Sequence, residues 1–192
     1  GVERGNNYRL CFGQALGISG RVDESAGAYS LLKGLQFSQV TDGLSHTLGM
    51  SERFKSDLEI ETFSIREYWY TGALGIGPVT QASLLSICQN LSPPPAVYNP
   101  ICGWSWANGD FANTWFNCPL SPNSIVYDCT ANGRESGGWT VGVIGSTYGL
   151  HAARSWHCGG VNTALLDGAV TFVNESIDVT VWRRCGTIAG HE

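Results

Sequence analysis

The pattern of apolar and polar positions is sharpest near the C-terminus. Val161 to Leu166 and Ala169 to Val173 are apolar runs separated only by Asp167-Gly168. That pair has the dihedral tolerance of a two-residue type I′ turn, so a β-hairpin is predicted there. Beyond it, Ser176 or Asp178 can cap a short helix with Val179 and Trp182 facing inward, Arg183 and Arg184 at its C-terminal end and Gly186 as its stop. The segment 157–187 therefore reads as a hairpin plus a terminal helix. Earlier, Val40 to Ser45 holds a Thr-Asp-Gly turn signal, and His46 to Phe54 reads as the strand leaving it. Ile60 to Tyr70 and Trp139 to Ser146 suit further strands, and Ser83 to Cys88 suits a short helix.

Between these elements the pattern breaks down. Residues 90–138 are crowded with Pro, Asn, Ser and Gly, which remove donors and favour turns, so long regular elements are not expected there. The same stretch carries Trp104, Trp106, Phe111, Trp115, Phe116 and Tyr127. Aromatics in that number point to an ordered, loop-rich insertion braced by disulfides and packed on the sheet. The expected class is α+β and β-rich, with 1–192 forming one domain.

Composition narrows the function classes. Only 14% of the 192 residues are charged and the net charge is −5, with the basic residues scattered singly apart from Arg183-Arg184. Nothing here can neutralise a phosphate backbone, so nucleic acid is an improbable partner. No apolar run is long enough to span a membrane. The chain opens at Gly1 without a methionine. This predicts a processed product or an upstream part, with any anchor or export signal lying before residue 1. The seven cysteines are Cys11, Cys88, Cys102, Cys118, Cys129, Cys158 and Cys185. They contain no CxxC pair, which favours disulfides in an oxidising compartment over a zinc ribbon or redox motif. Connectivity stays open, although Cys102, Cys118 and Cys129 could close a short-range bridge, and the odd count leaves one thiol to account for.

The C-terminal residues also resemble a family. His157, nine residues and then Asp167-Gly168 match the signature of bacterial pseudopilin-like secretory proteins abundant in planctomycetes, with GGVN around Asn162 and WRRCGTIAG in similar places. VTDGLSHTLGMSE, which contains Asp42 and Gly43, resembles a second block of that family, and NYRLCFG and FNCPLSPNS resemble two more. The resemblance implies the globular head of a type IV pilin-like subunit: an antiparallel sheet laid on a helix, exported and assembled at the cell surface. The family's long N-terminal pilin helix is absent from this chain. Cys158 and Cys185 stand where the family carries proline and a small or aliphatic residue, which suggests a disulfide between hairpin and final helix. His46 replaces the family's Asn.

Candidate chemistry is sparse. His157 and Asp167 lie roughly 20 Å apart along an extended strand, so Asp167 is expected to make the turn and His157 to hydrogen-bond backbone at the strand start. His151, His157 and Cys158 match no zinc spacing. Calcium could be drawn from Asp42, Asp110 and Asp128 among turn-rich Asn residues, but no calcium motif is present, and the expectation is no metal and no cofactor. No nucleophile motif occurs, so a non-enzymatic chain is expected and a hydrolase is the weaker alternative. Trp104, Trp106 and Trp115 could form a platform for a glycan or an interface, or could build the core. The expected role is a structural subunit acting by self-association, and the alternative is a carbohydrate- or surface-binding module.

Overall fold

A computed structural model describes residues 5–14, 26–29, 34–57, 65, 68–73, 80–90, 98–99, 102–107, 109, 113–132 and 147–190. In chain order the strands are β1 (Tyr8–Cys11), β2 (Leu48–Glu52), β3 (Tyr68–Ala73), β4 (Tyr98–Asn99), β5 (Trp115–Phe116), β6 (Cys129–Asn132), β7 (Thr147–Leu150), β8 (Gly160–Leu165) and β9 (Val170–Asn174). The helices are α1 (Gln81–Gln89) and α2 (Val179–Cys185). One sheet runs β5-β1-β2-β8-β9 and a second runs β4-β3-β6-β7. The fold is thus mixed α+β and mostly sheet. Each sheet includes one parallel pair, β1 with β5 and β3 with β6, so neither is wholly antiparallel. Of the strand expected over Ile60 to Tyr70, residues 68–70 lie in β3 and most of the rest, like Trp139 to Ser146, lies outside the described residues.

The local signals explain most elements. Thr80 caps α1 by accepting from Ser83 N, while the Ser83 side chain accepts from Thr80 N, a reciprocal capping box. Of the two candidate caps for α2, Asp178 is the one used, accepting from Thr180 N at 2.7 Å and Val181 N at 3.2 Å. Those backbone bonds hold its carboxyl below the usual value. Trp182 is buried completely and Val179 in part. Gly186 ends α2 at an ordinary φ of −78°. A Cβ there would sit 2.5 Å from the Cys118 sulfur, so the glycine is needed for space and not for a left-handed turn.

The hairpin departs from the expected turn in one respect. Gly168 has a φ of +89°, but Asp167 does not share the left-handed region, so the turn is not type I′. Gly168 N donates to Leu165 O at 3.0 Å and Leu165 N to Ala169 O at 2.8 Å, giving a three-residue connection closed by a glycine bulge. The Asp167 side chain accepts from Ala169 N, which is the turn role expected of it.

Two apolar clusters carry the core. Leu84, Cys88, Leu120, Cys129, Leu150 and Ala152 form one beside the second sheet. Cys11, Leu48, Phe116, Cys118, Ala153, Val161 and Trp182 form the other, under the first sheet and α2. The Cys88–Cys129 disulfide joins α1 to β6 and braces the insertion. Segment 150–154 threads between the clusters, with Leu150 and Ala152 in one and Ala153 in the other. Its polar residues, His151 and Arg154, occupy what lies between.

Candidate functional site

Glu52, the last residue of β2, gathers side chains from three sequence blocks. Its Oε2 accepts from Asn162 N at 2.8 Å. Its Oε1 accepts from Asn162 Nδ2 at 3.2 Å and Tyr8 OH at 3.4 Å, and lies 3.1 Å from His157 Nε2. The His157 ring therefore binds a carboxylate, not the backbone expected from sequence, and it does not approach Asp167. Ser155 Oγ donates to Gly160 O at 2.6 Å and accepts from His157 N at 3.0 Å, so its hydroxyl is not aimed at the imidazole. A carboxylate already engaged by four donors is a clamp rather than a base waiting for a substrate proton. It pins β1, β2 and the start of β8 together while leaving the His157 side chain 57% exposed.

Asp42 is a second clamp. Its Oδ2 accepts from Gly190 N at 2.7 Å and Thr187 Oγ1 at 3.3 Å, and Thr41 N donates to Ile188 O at 2.9 Å. The Thr-Asp-Gly turn, with Gly43 at φ +91°, thereby docks the C-terminal GTIAG segment.

The largest polar network among the described residues was not anticipated. Asp128, fully buried, forms ion pairs with Arg53 and Arg154, also buried. Its Oδ1 accepts from Arg154 Nε at 3.1 Å and Ala152 N at 3.2 Å. Arg154 also donates to Ser124 O and Val126 O. Arg53 and Arg9 both reach the buried Cys102 sulfur, at 2.5 and 3.3 Å. Burial alone would raise the Asp128 pKa, but Arg154 and then Arg53 outweigh it and hold the carboxyl well below the usual range. Burial, reinforced by Arg53, pushes His151 well below its ordinary value, so it is neutral. Its Nε2 pairs with Thr130 Oγ1 at 2.9 Å and its backbone N donates to Asn117 Oδ1 at 2.9 Å. Arg9 is lowered to about 10, by burial first and then by Arg53. The knot joins β1, the end of β2, the insertion and segment 150–154.

Several expected sites are redistributed. Trp115 is not part of a surface platform: only 5% exposed, it stacks on Phe12 at 4.8 Å because β5 pairs with β1. Trp104 and Trp106 are 53% and 70% exposed. Trp156, not singled out from sequence, is exposed and stacks on Phe54 at 4.3 Å. The Cys158–Cys185 disulfide does not form. Cys158 sits on an exposed turn before β8, while Cys185 lies beside Cys11 and Cys118 under α2. Nor do Cys102, Cys118 and Cys129 bridge one another: Cys129 pairs with Cys88, and Cys102 and Cys118 are both free. Asp42 and Asp128 belong to separate networks, and Asp110 lies outside the described residues. Among the described residues no three His, Cys, Asp or Glu side chains are grouped to hold a metal.

The remaining distinctive feature is the hairpin's outer strand. Among the described residues strand β9 is an edge, and its sequence, VTFVN, carries no charge or proline. Val170 and Phe172 are 73% and 48% exposed. Leu165 N bonds Ala169 O and Glu175 N bonds Gly159 O. Antiparallel alternation then turns the backbone N–H and C=O of Val170 and Phe172 away from β8.

A family model described as "Protein of unknown function (DUF1559)" matches residues 13–180. The chain belongs to the DUF1559 family. The match takes in β2, β8 and β9, and so covers most of the clamps and the free edge of this DUF1559 chain. No curated protein and no solved structure matches it.

Proposed function

We propose that this DUF1559 chain is a structural subunit of an exported, pseudopilin-like assembly at the cell surface, acting by self-association. The observation that carries this reading is the β9 edge: an uncharged, β-prone strand presenting unpaired backbone groups and exposed Val170 and Phe172. Edges are ordinarily guarded by lysine, proline or a covering element, and an unguarded one is a template for strand addition. The polar clusters support the same reading, because Glu52, Asp42 and Asp128 are each engaged by donors that hold the fold together. Two copies meeting β9 to β9 make an isologous contact, and a longer assembly uses a second surface. The His-x9-Asp-Gly pattern, the scarcity of charge and the Cys88–Cys129 bridge support an extracytoplasmic location. Sedimentation and electron microscopy of the full chain over a range of concentrations test the proposal. Association that rises with concentration is expected, and monomeric particles at the highest concentration refute it.

A second reading rests on Trp104 and Trp106, whose exposed indoles suit stacking on sugar rings. A glycan array supports it if hits disappear in the Trp104→Ala, Trp106→Ala double variant. An array without hits removes it.

A further inference from the structure

The pocket beneath α2 holds three thiols. Cys11 on β1 and Cys118, two residues past β5, are both fully buried, and their sulfurs lie 3.6 Å apart. Cys185 at the end of α2 lies alongside, half-buried. The parallel pairing of β1 with β5, extended by Cys118 N donating to Gly13 O at 2.8 Å, fixes the backbones that carry the closest pair.

The geometry points to a second disulfide, between Cys11 and Cys118, as a covalent modification of this chain, with Cys185 left as the free thiol of these three. The sulfurs need to approach by roughly 1.5 Å to reach bonding distance, a displacement within the reach of side-chain rotation. The oxidant is a thiol–disulfide exchange partner of the class that would also make Cys88–Cys129. One cysteine thiolate attacks the partner's disulfide and releases one of its sulfurs as a thiol. The second cysteine then attacks the mixed disulfide and releases the other sulfur. The chain thus loses two electrons and two protons, and the partner leaves as two thiols.

Timing follows from the lid. Gly186 lies directly over the pair, its carbonyl 3.8 Å from the Cys11 sulfur and its Cα against Cys118. Burial, and then the adjacent Cys11, pushes the Cys118 thiol well above its ordinary value. Exchange therefore belongs to folding, before α2 docks, and the docked helix afterwards shields the bond from reductant. The bond would tie the first strand to the insertion independently of Cys88–Cys129.

The test is peptide mapping of the full chain refolded with glutathione disulfide until the Cys88–Cys129 bridge is present. The chain is denatured in an alkylating reagent without reductant and then digested with trypsin and chymotrypsin. Cleavage after Arg9, Phe116, Leu120 and Arg184 places Cys11, Cys118 and Cys185 on separate peptides. A cross-linked Cys11–Cys118 pair with alkylated Cys185 is expected. Alkylation of both Cys11 and Cys118, or a link from either to Cys185, overturns the proposal.

Discussion

The Asp128 knot and the β9 edge treat polar groups in opposite ways. Around Asp128, two guanidiniums and a backbone amide converge on one buried carboxylate, and the outer nitrogens of Arg154 continue to Ser124 and Val126 carbonyls. Along β9, backbone donors and acceptors of Val170 and Phe172 face outward beside apolar side chains, with no charge to discourage pairing. In a chain with only 14% charged residues, placing Arg9, Arg53 and Arg154 in the interior is a strong commitment. The contrast teaches that ionic chemistry here specifies the architecture. On the proposed reading, recognition falls to strand geometry and apolar surface.

The comparison can be broken from either side. The largest effect is expected from Asp128→Asn, which leaves Arg53 and Arg154 buried without a counter-charge. Losing one partner of a buried pair typically costs about 3–5 kcal/mol. Urea unfolding should show a loss of that size, and a change of under about 1 kcal/mol would mean that the knot is not an anchor. Glu52→Gln comes next. The amide presents a donor where Asn162 N, Asn162 Nδ2 and Tyr8 OH already donate, so about 1–3 kcal/mol should be lost in the same assay.

A pH series sharpens the account of the knot. The folded-state pKa of His151 is depressed, so the unfolded chain binds more protons, and stability should fall as pH drops below the ordinary histidine value of about 6.5. Asp128 is also depressed. Its contribution is present above the unfolded carboxylate value of about 3.9 and is lost as pH falls below that toward its folded pKa, giving a second, steeper decline. His151→Gln should flatten the first decline and leave the second. Equal declines in both proteins would place the first titration elsewhere.

The smallest effect on folding is expected at the edge. Val170 is 73% exposed and its N–H points away from β8, so neither Val170→Lys nor Val170→Pro removes a ladder bond. Both should change stability by less than about 1 kcal/mol.

Legibility from sequence followed the range of the interactions involved. The hairpin and the Asp178 cap depend on residues within four positions of one another and were readable, whereas α1 was expected only from Ser83 and its Thr80 cap was not read. Even there, the turn type was missed because Leu166 joins the connection and only Gly168 needs a positive φ. Trp104 and Trp115 sit in the same loop-rich composition, and what separates them is the pairing of β5 with β1, a long-range fact. The Asp128 knot draws on four distant segments, so no local pattern announces it. The His157 ring was expected on backbone, and its actual partner, Glu52 on β2, lay beyond any spacing argument.

The central claim, that assembly resides in β9 while the charged clusters serve the fold, is tested most directly by sedimentation of Val170→Pro beside the unaltered chain at matched concentration. The account predicts a folded variant with unchanged unfolding behaviour that sediments as a monomer where the unaltered chain associates. Equal association of the two proteins would contradict it.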